Sequence, residues 1–126
     1  NRGHQPNQLP STEALSKPVD FSIQANVECT LINCSHADIA SNSIRELART
    51  PKFGIFANSS TFKEIDLSIS TKDIDAIHHL NSEIISAKEY AKIALNWAKE
   101  GAYVVGGCCG TTVEHTKQIK LLLETL

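Results

Sequence analysis

The sequence predicts an α/β fold, a parallel sheet with helices packed outside it. Three observations predict it. Short apolar runs alternate with stretches of helical periodicity. Ser86 with Glu89, and Thr111 with Glu114, have the spacing of capping boxes and each opens a helix. Between the apolar run Ala102-Tyr103-Val104-Val105 and the second helix start lies Gly106-Gly107-Cys108-Cys109-Gly110-Thr111-Thr112, a strand-to-helix junction.

Size and composition set the bounds. At 126 residues the chain is at most one domain, and 41% hydrophobic residues are enough to build a core. A net charge of -2 gives no electrostatic case for nucleic acid or a membrane surface. No apolar run approaches the roughly 18 residues of a membrane span. The polar start, Asn1-Arg2-Gly3-His4, shows no secretory signal, and a chain that begins without Met points to upstream sequence. The four cysteines, Cys29, Cys34, Cys108 and Cys109, have no regular spacing. The neighbours Cys108 and Cys109 cannot bridge each other without strain, because disulfides want about 5.5 Å between Cα atoms and adjacent residues sit about 3.8 Å apart. A reducing, cytoplasmic setting and thiolate chemistry fit this usage.

In chain order, 1–16 is polar and loop-like, with a short helix start at Ser11 that stops at Lys17-Pro18. Val19 to Gln24 is expected to be a strand, and Val27 to Ile32 a better one ending at Asn33-Cys34. Only Ala25 and Asn26 separate the two, too few for a parallel crossover. The runs therefore form one long strand or a hairpin, or a connecting helix is missing. Ser35 to Asp38 reads as a loop. Ile39 to Arg49 reads as a helix with Ile44, Leu47 and Ala48 on its buried face, stopped before Pro51. Phe53 to Ala57 is a short buried strand. The stretch 58–85 is long and polar, which suggests a functional connection. The helix opened by Ser86 buries Tyr90, Ile93, Ala94, Trp97 and Ala98 and stops at Gly101. Tyr103 to Gly106 is the last strand. The final helix, 112–126, turns Val113, Ile119, Leu122, Leu123 and Leu126 inward.

Ligands of parallel α/β folds bind at the carboxyl ends of the strands. Cys34, Asn58 and the Cys108-Cys109 pair all fall just past predicted strand ends, so Cys34 and a cysteine pair far from it in sequence are placed on one side of the sheet. Three thiolates can hold Zn²⁺ at about 2.3 Å each and leave a tetrahedral position open, the mark of a catalytic site. His36, His78 or His79 could close that position and make the site structural. Two other readings stand beside these. The cysteines could be buried small hydrophobes, the reading preferred for Cys29. Cys108 and Cys109 could be a redox pair, although Cys-x-x-Cys spacing is absent. Trp97 reads as helix core. Glu64, Asp66, Asp73 and Asp75 read as solvated.

Gly106-Gly107-Cys108-Cys109-Gly110-Thr111 and Ile32-Asn33-Cys34 resemble the two zinc-ligand motifs of the homocysteine S-methyltransferase family. The resemblance runs from about Lys17 to the C-terminus. It implies 1–16 as a polar segment and 17–126 as the C-terminal part of a (β/α)8 barrel. Lys17-Pro18-Val19 is similar to the family's fifth strand and Phe53 to Ser59 to its seventh. The resemblance implies Zn²⁺ on Cys34, Cys108 and Cys109, with no catalytic residue beyond the metal site. Asn33 and Asn58 are candidates for hydrogen bonds to substrate or ligands, and Gly106, Gly107 and Gly110 let the turn aim both cysteines at one ion. The implied partners are homocysteine and a methyl donor. Leu31 departs from the family's Gly-x-Asn-Cys pattern. A full barrel takes about 250 residues, so the first four strands are expected to be absent, and another chain could carry the missing half. The 126 residues alone are then expected to be inactive or nearly so, and a non-catalytic zinc-binding remnant of the same fold is the alternative.

Overall fold

The computed structural model describes residues 12–62 and 82–126. In chain order the elements are α1 (Thr12–Gln24), β1 (Thr30–His36), α2 (Ala37–Asn42), α3 (Ile44–Leu47), β2 (Phe53–Asn58), β3 (Ser60–Phe62), β4 (Ser82–Ile84), α4 (Ala87–Lys99), β5 (Val104–Gly107) and α5 (Val113–Leu123). The expected parallel sheet is present, in the order β1-β2-β5. Its register sets Ile32 beside Ile55 and Ile55 beside Val105, and likewise Asn33 beside Phe56 and Phe56 beside Gly106. β3 and β4, the two described ends of the long connection, pair antiparallel. Among the described residues three parallel strands are found, so a closed barrel is not shown; the architecture is consistent with part of one.

β2 is the central strand, and its alternate residues Phe53, Ile55 and Ala57 are buried under the helices on one face of the sheet. Phe53, Ile55 and Ala57 join one core with Tyr90, Ala91, Ala94 and Trp97 of α4 and with Ala37, Ala40, Ile44 and Leu47 of α2 and α3. Trp97 is 1% exposed, meets the Tyr90 ring edge-on at 5.7 Å, and donates its indole N–H to Ser41 Oγ at 2.7 Å. Helix α4 begins at the expected capping box. Ser86 Oγ accepts from the Glu89 N–H, and the Glu89 carboxylate accepts from the Ser86 N–H. The Ser86 hydroxyl, which donates to the Glu89 carboxylate at 2.8 Å, and then the Ser86 N–H hold the exposed Glu89 carboxyl below its ordinary range.

Several expectations are corrected. Val19 to Gln24 is the second half of α1, not a strand, and Pro18 does not stop that helix. The alternation of Val19, Phe21 and Ile23 imitates a strand, but Val19 is buried while Phe21 is 70% exposed. Packing of α1 on α3 and the ion pair of Asp20 with Arg49 favour the helix over the Pro18 signal. The likeness of Lys17-Pro18-Val19 to a fifth strand therefore fails, and neither the long strand nor the hairpin is formed: a helix, α1, precedes β1. β1 starts three residues later than expected and continues through Ser35 and His36, so Cys29 precedes it, partly buried.

The helix expected over 39–49 is two short ones. Ser41 Oγ donates to the Ala37 carbonyl and Ser43 Oγ to the Ile39 carbonyl, the back-bonding that bends helices. Ile44 and Leu47 are buried as expected, and Ala48 is exposed. In α5 the N-cap is Thr112 with His115 rather than Thr111 with Glu114. Ile119 faces the core, whereas Val113 and Leu126 are 71% and 67% exposed. His78, His79, Glu64, Asp66, Asp73 and Asp75 lie outside the described residues.

Candidate metal centre

Two local devices bring the cysteines to the carboxyl end of the sheet, one for Cys34 and one for the Cys108-Cys109 pair. In β1 the register with β2 shifts between Asn33 and His36, and inside that bulge Cys34 takes φ 54°. A non-glycine residue in the left-handed region is uncommon and costs of order 1 kcal/mol or more, and such outliers gather at functional sites. At the end of β5 the backbone needs close approach. A Cβ at Gly106 would lie 2.6 Å from the Phe56 ring, and one at Gly107 would lie 2.5 Å from the Thr111 side chain. Gly110 then turns the chain at φ 76°.

The loop after β5 is tied to the end of β2 residue by residue. The Cys108 N–H donates to the Ala57 carbonyl at 2.8 Å, extending the ladder. The Cys109 N–H donates to Asn58 Oδ1 at 3.1 Å, and the Cys109 carbonyl accepts from the Ser59 N–H at 2.9 Å. Thr111 Oγ1 donates to the Cys108 carbonyl at 2.7 Å. Beneath them the buried Tyr90 hydroxyl lies 2.8 Å from both the Ala57 and Gly106 carbonyls, bridging β2 and β5. Burial pushes that hydroxyl above the ordinary phenol value.

The result is a cluster in which the sulfurs of Cys34, Cys108 and Cys109 all lie within 4.8 Å of one another. Cys108 Sγ and Cys109 Sγ are 4.0 Å apart. In a tetrahedral zinc site with Zn–S of about 2.3 Å, two sulfurs stand about 3.8 Å apart, so this pair already has a ligand spacing. The Cys34 and Cys108 sulfurs are in bonding contact across 74 residues of sequence, with Cα atoms 5.6 Å apart, a separation that suits a disulfide. A bridge between two of the sulfurs would leave too few thiolates for a three-sulfur metal site, so metal binding here requires the reduced protein.

The candidate residues divide clearly. Cys34, Cys108 and Cys109 converge, and Asn58 supports Cys109 through its backbone. Asn33 is exposed on β1. His36, a candidate for closing the site, points its Nδ1 at Ser60 Oγ at 2.9 Å, and among the described residues no histidine joins the cluster. Ser59 and His115 were not anticipated. His115 Nε2 meets Ser59 Oγ at 2.8 Å across 56 residues of sequence, a separation that no local pattern reveals. The signal that existed was His115 three residues after Thr112, where a side chain can reach back to the helix start.

The described residues form an α/β unit with parallel β-α connections and three thiols gathered near the carboxyl ends of its strands, a donor set that could hold a metal ion. The family model described as Homocysteine S-methyltransferase matches residues 3–123, and the chain belongs to that family. A search of curated proteins found no match.

Proposed function

We propose that the chain carries the metal centre of a zinc-dependent enzyme that transfers a methyl group to the thiol of homocysteine, giving methionine. The observation that carries this reading is the convergence of three cysteine sulfurs, from two strand ends, within 4.8 Å in a member of this family. The donor set fits the metal: soft thiolates suit zinc, and three of them leave a position for a substrate sulfur. Cys34, Cys108 and Cys109 would hold the ion. When bound, zinc supplies Lewis acidity that favours the thiolate form of the substrate near neutral pH. The homocysteine sulfur then forms its bond to the methyl carbon as the donor's bond to that carbon breaks, and the thiol proton passes to solvent. The chain's contribution is orientation: Asn58, Ser59 and Thr111 hold the Cys108-Cys109 loop, and the Cys34 bulge presents the third sulfur.

The sheet face opposite the helices bears on the rest of the enzyme. Leu31 and Val104 flank Gly54 there, where any Cβ would collide with both, and they are 48% and 37% exposed. In a complete barrel this face turns to the interior. Further strands, on additional sequence or on another chain, would cover it and supply the remainder of the homocysteine pocket and the donor site. The same exposure favours the second reading, a zinc-binding remnant without turnover. Methionine formation separates them. The reduced, zinc-loaded protein is assayed with homocysteine and a panel of methyl donors, alone and with any partner that completes the barrel. Chelator-sensitive methionine production supports the enzyme. Zinc binding without turnover in the completed assembly supports the remnant. No described helix is long and apolar enough to cross a membrane, and a cytoplasmic, reducing setting is proposed because it keeps the three thiols available.

A further inference from the structure

We infer that Ser59 and His115 form a buried positioning pair that fixes Cys109 within the thiol cluster; this rests on the metal-binding reading above. His115 lies in the first turn of α5 and is 9% exposed, and Ser59 is 2% exposed. The Thr112 N–H reaches His115 Nδ1 at 3.1 Å. An N–H can only donate, so Nδ1 is the accepting nitrogen and Nε2 carries the hydrogen. Nε2–H therefore donates to Ser59 Oγ at 2.8 Å, and the Ser59 hydroxyl donates onward to the Ile85 carbonyl at 2.7 Å. The Ile85 N–H returns to the Ser59 carbonyl at 3.1 Å. The Tyr90 ring meets the imidazole edge-on at 5.6 Å.

Every polar group of Ser59 is thus committed, and the last of them, its N–H, holds the Cys109 carbonyl at 2.9 Å. The three cysteines depend on this differently. Cys34 belongs to β1, and Cys108 is held to the end of β2 by its bond to Ala57. Cys109 lies one residue further out, and its peptide groups are held by Asn58 and Ser59. Loosening Ser59 frees the third sulfur and leaves the other two in place. His115 is a positioning residue in this scheme, acting through Ser59 and touching no ligand atom.

The test titrates the reduced protein with Co²⁺ alone, because zinc is spectroscopically silent and the sulfur-to-cobalt charge-transfer intensity counts thiolates. Ser59→Ala is expected to lower Co²⁺ affinity by about 10- to 100-fold, the usual effect of losing a group that orients a ligand. It should also lower the charge-transfer intensity toward that of Cys109→Ser. Two substitutions at position 115 separate positioning from helix capping. His115→Gln places an N–H near the old Nε2 and should keep most of the wild-type spectrum. His115→Asn keeps only an acceptor near the old Nδ1 and should behave like Ser59→Ala. These are compared at matched helix content by circular dichroism, so a folding defect does not imitate the result. The reverse order, with Asn retaining and Gln losing the third thiolate, overturns the inference. Wild-type spectra in all variants overturn it too, while leaving the metal site intact. A reduced wild-type protein that takes up no cobalt overturns the metal reading itself.

Discussion

The Asn58 side chain accepts the backbone N–H of Cys109 at 3.1 Å, joining the last residue of β2 to the loop after β5 across 51 residues of sequence. Asn58→Ala removes that acceptor and is expected to weaken metal binding by about 10- to 100-fold. Asn58→Asp, which keeps an acceptor oxygen, should recover most of the loss. Competition titration against a chelator measures both, and equal affinity in Asn58→Ala and wild type would contradict the role.

Gly110→Ala tests the backbone turn after the cysteines. At φ 76° a Cβ is strained, so the substitution should destabilise the fold by about 1–2 kcal/mol. Gly110→Asn should be milder, because Asn visits the left-handed region more readily. Urea denaturation of the reduced protein ranks them, and Ala as stable as Gly would show that the turn is relaxed.

Tyr90→Phe removes the hydroxyl that bridges the Ala57 and Gly106 carbonyls and should cost about 1–2 kcal/mol at neutral pH. The pH dependence has a definite sign. An unfolded tyrosine ionises near pH 10, whereas burial holds the folded Tyr90 hydroxyl above that. From about pH 10 upward the unfolded chain releases a proton that the folded chain keeps, so this contribution is full below pH 10 and falls as pH rises. Denaturation at a series of alkaline pH values should show the wild type losing stability faster than Tyr90→Phe. Parallel curves would rule out Tyr90 as the cause.

Trp97→Ala opens a cavity beneath α4 and should cost about 3–5 kcal/mol. Thermal unfolding would report it, and a shift of only a degree or two would mean that the core closes over the gap.

The parts of this molecule legible in its sequence are those written locally. Ser86 and Glu89 announce α4 because a capping box spans four residues, and the spacing of Tyr90, Ala94 and Trp97 gives its buried face. The FGIFA run gives β2. The convergence of Cys34 with Cys108 and Cys109 followed from topology, since parallel strands deliver their carboxyl ends to one side. What failed was decided by tertiary contact. Val19 to Gln24 alternates like a strand, and only packing against α3 and the Asp20–Arg49 pair make it helix. The bulge that turns Cys34 leaves no mark in Asn33-Cys34-Ser35, and Ser59 has no local partner to betray it.

The most direct measurement is the zinc bound per chain by the reduced protein, wild type against Cys34→Ser. Cys34 comes from a different strand than the Cys108-Cys109 pair, so its loss asks whether the sulfurs act as one site. A single tightly bound zinc in the wild type, lost or greatly weakened in Cys34→Ser, is the result expected. Zinc retained undiminished without Cys34, or none bound by the reduced wild type, would contradict the account.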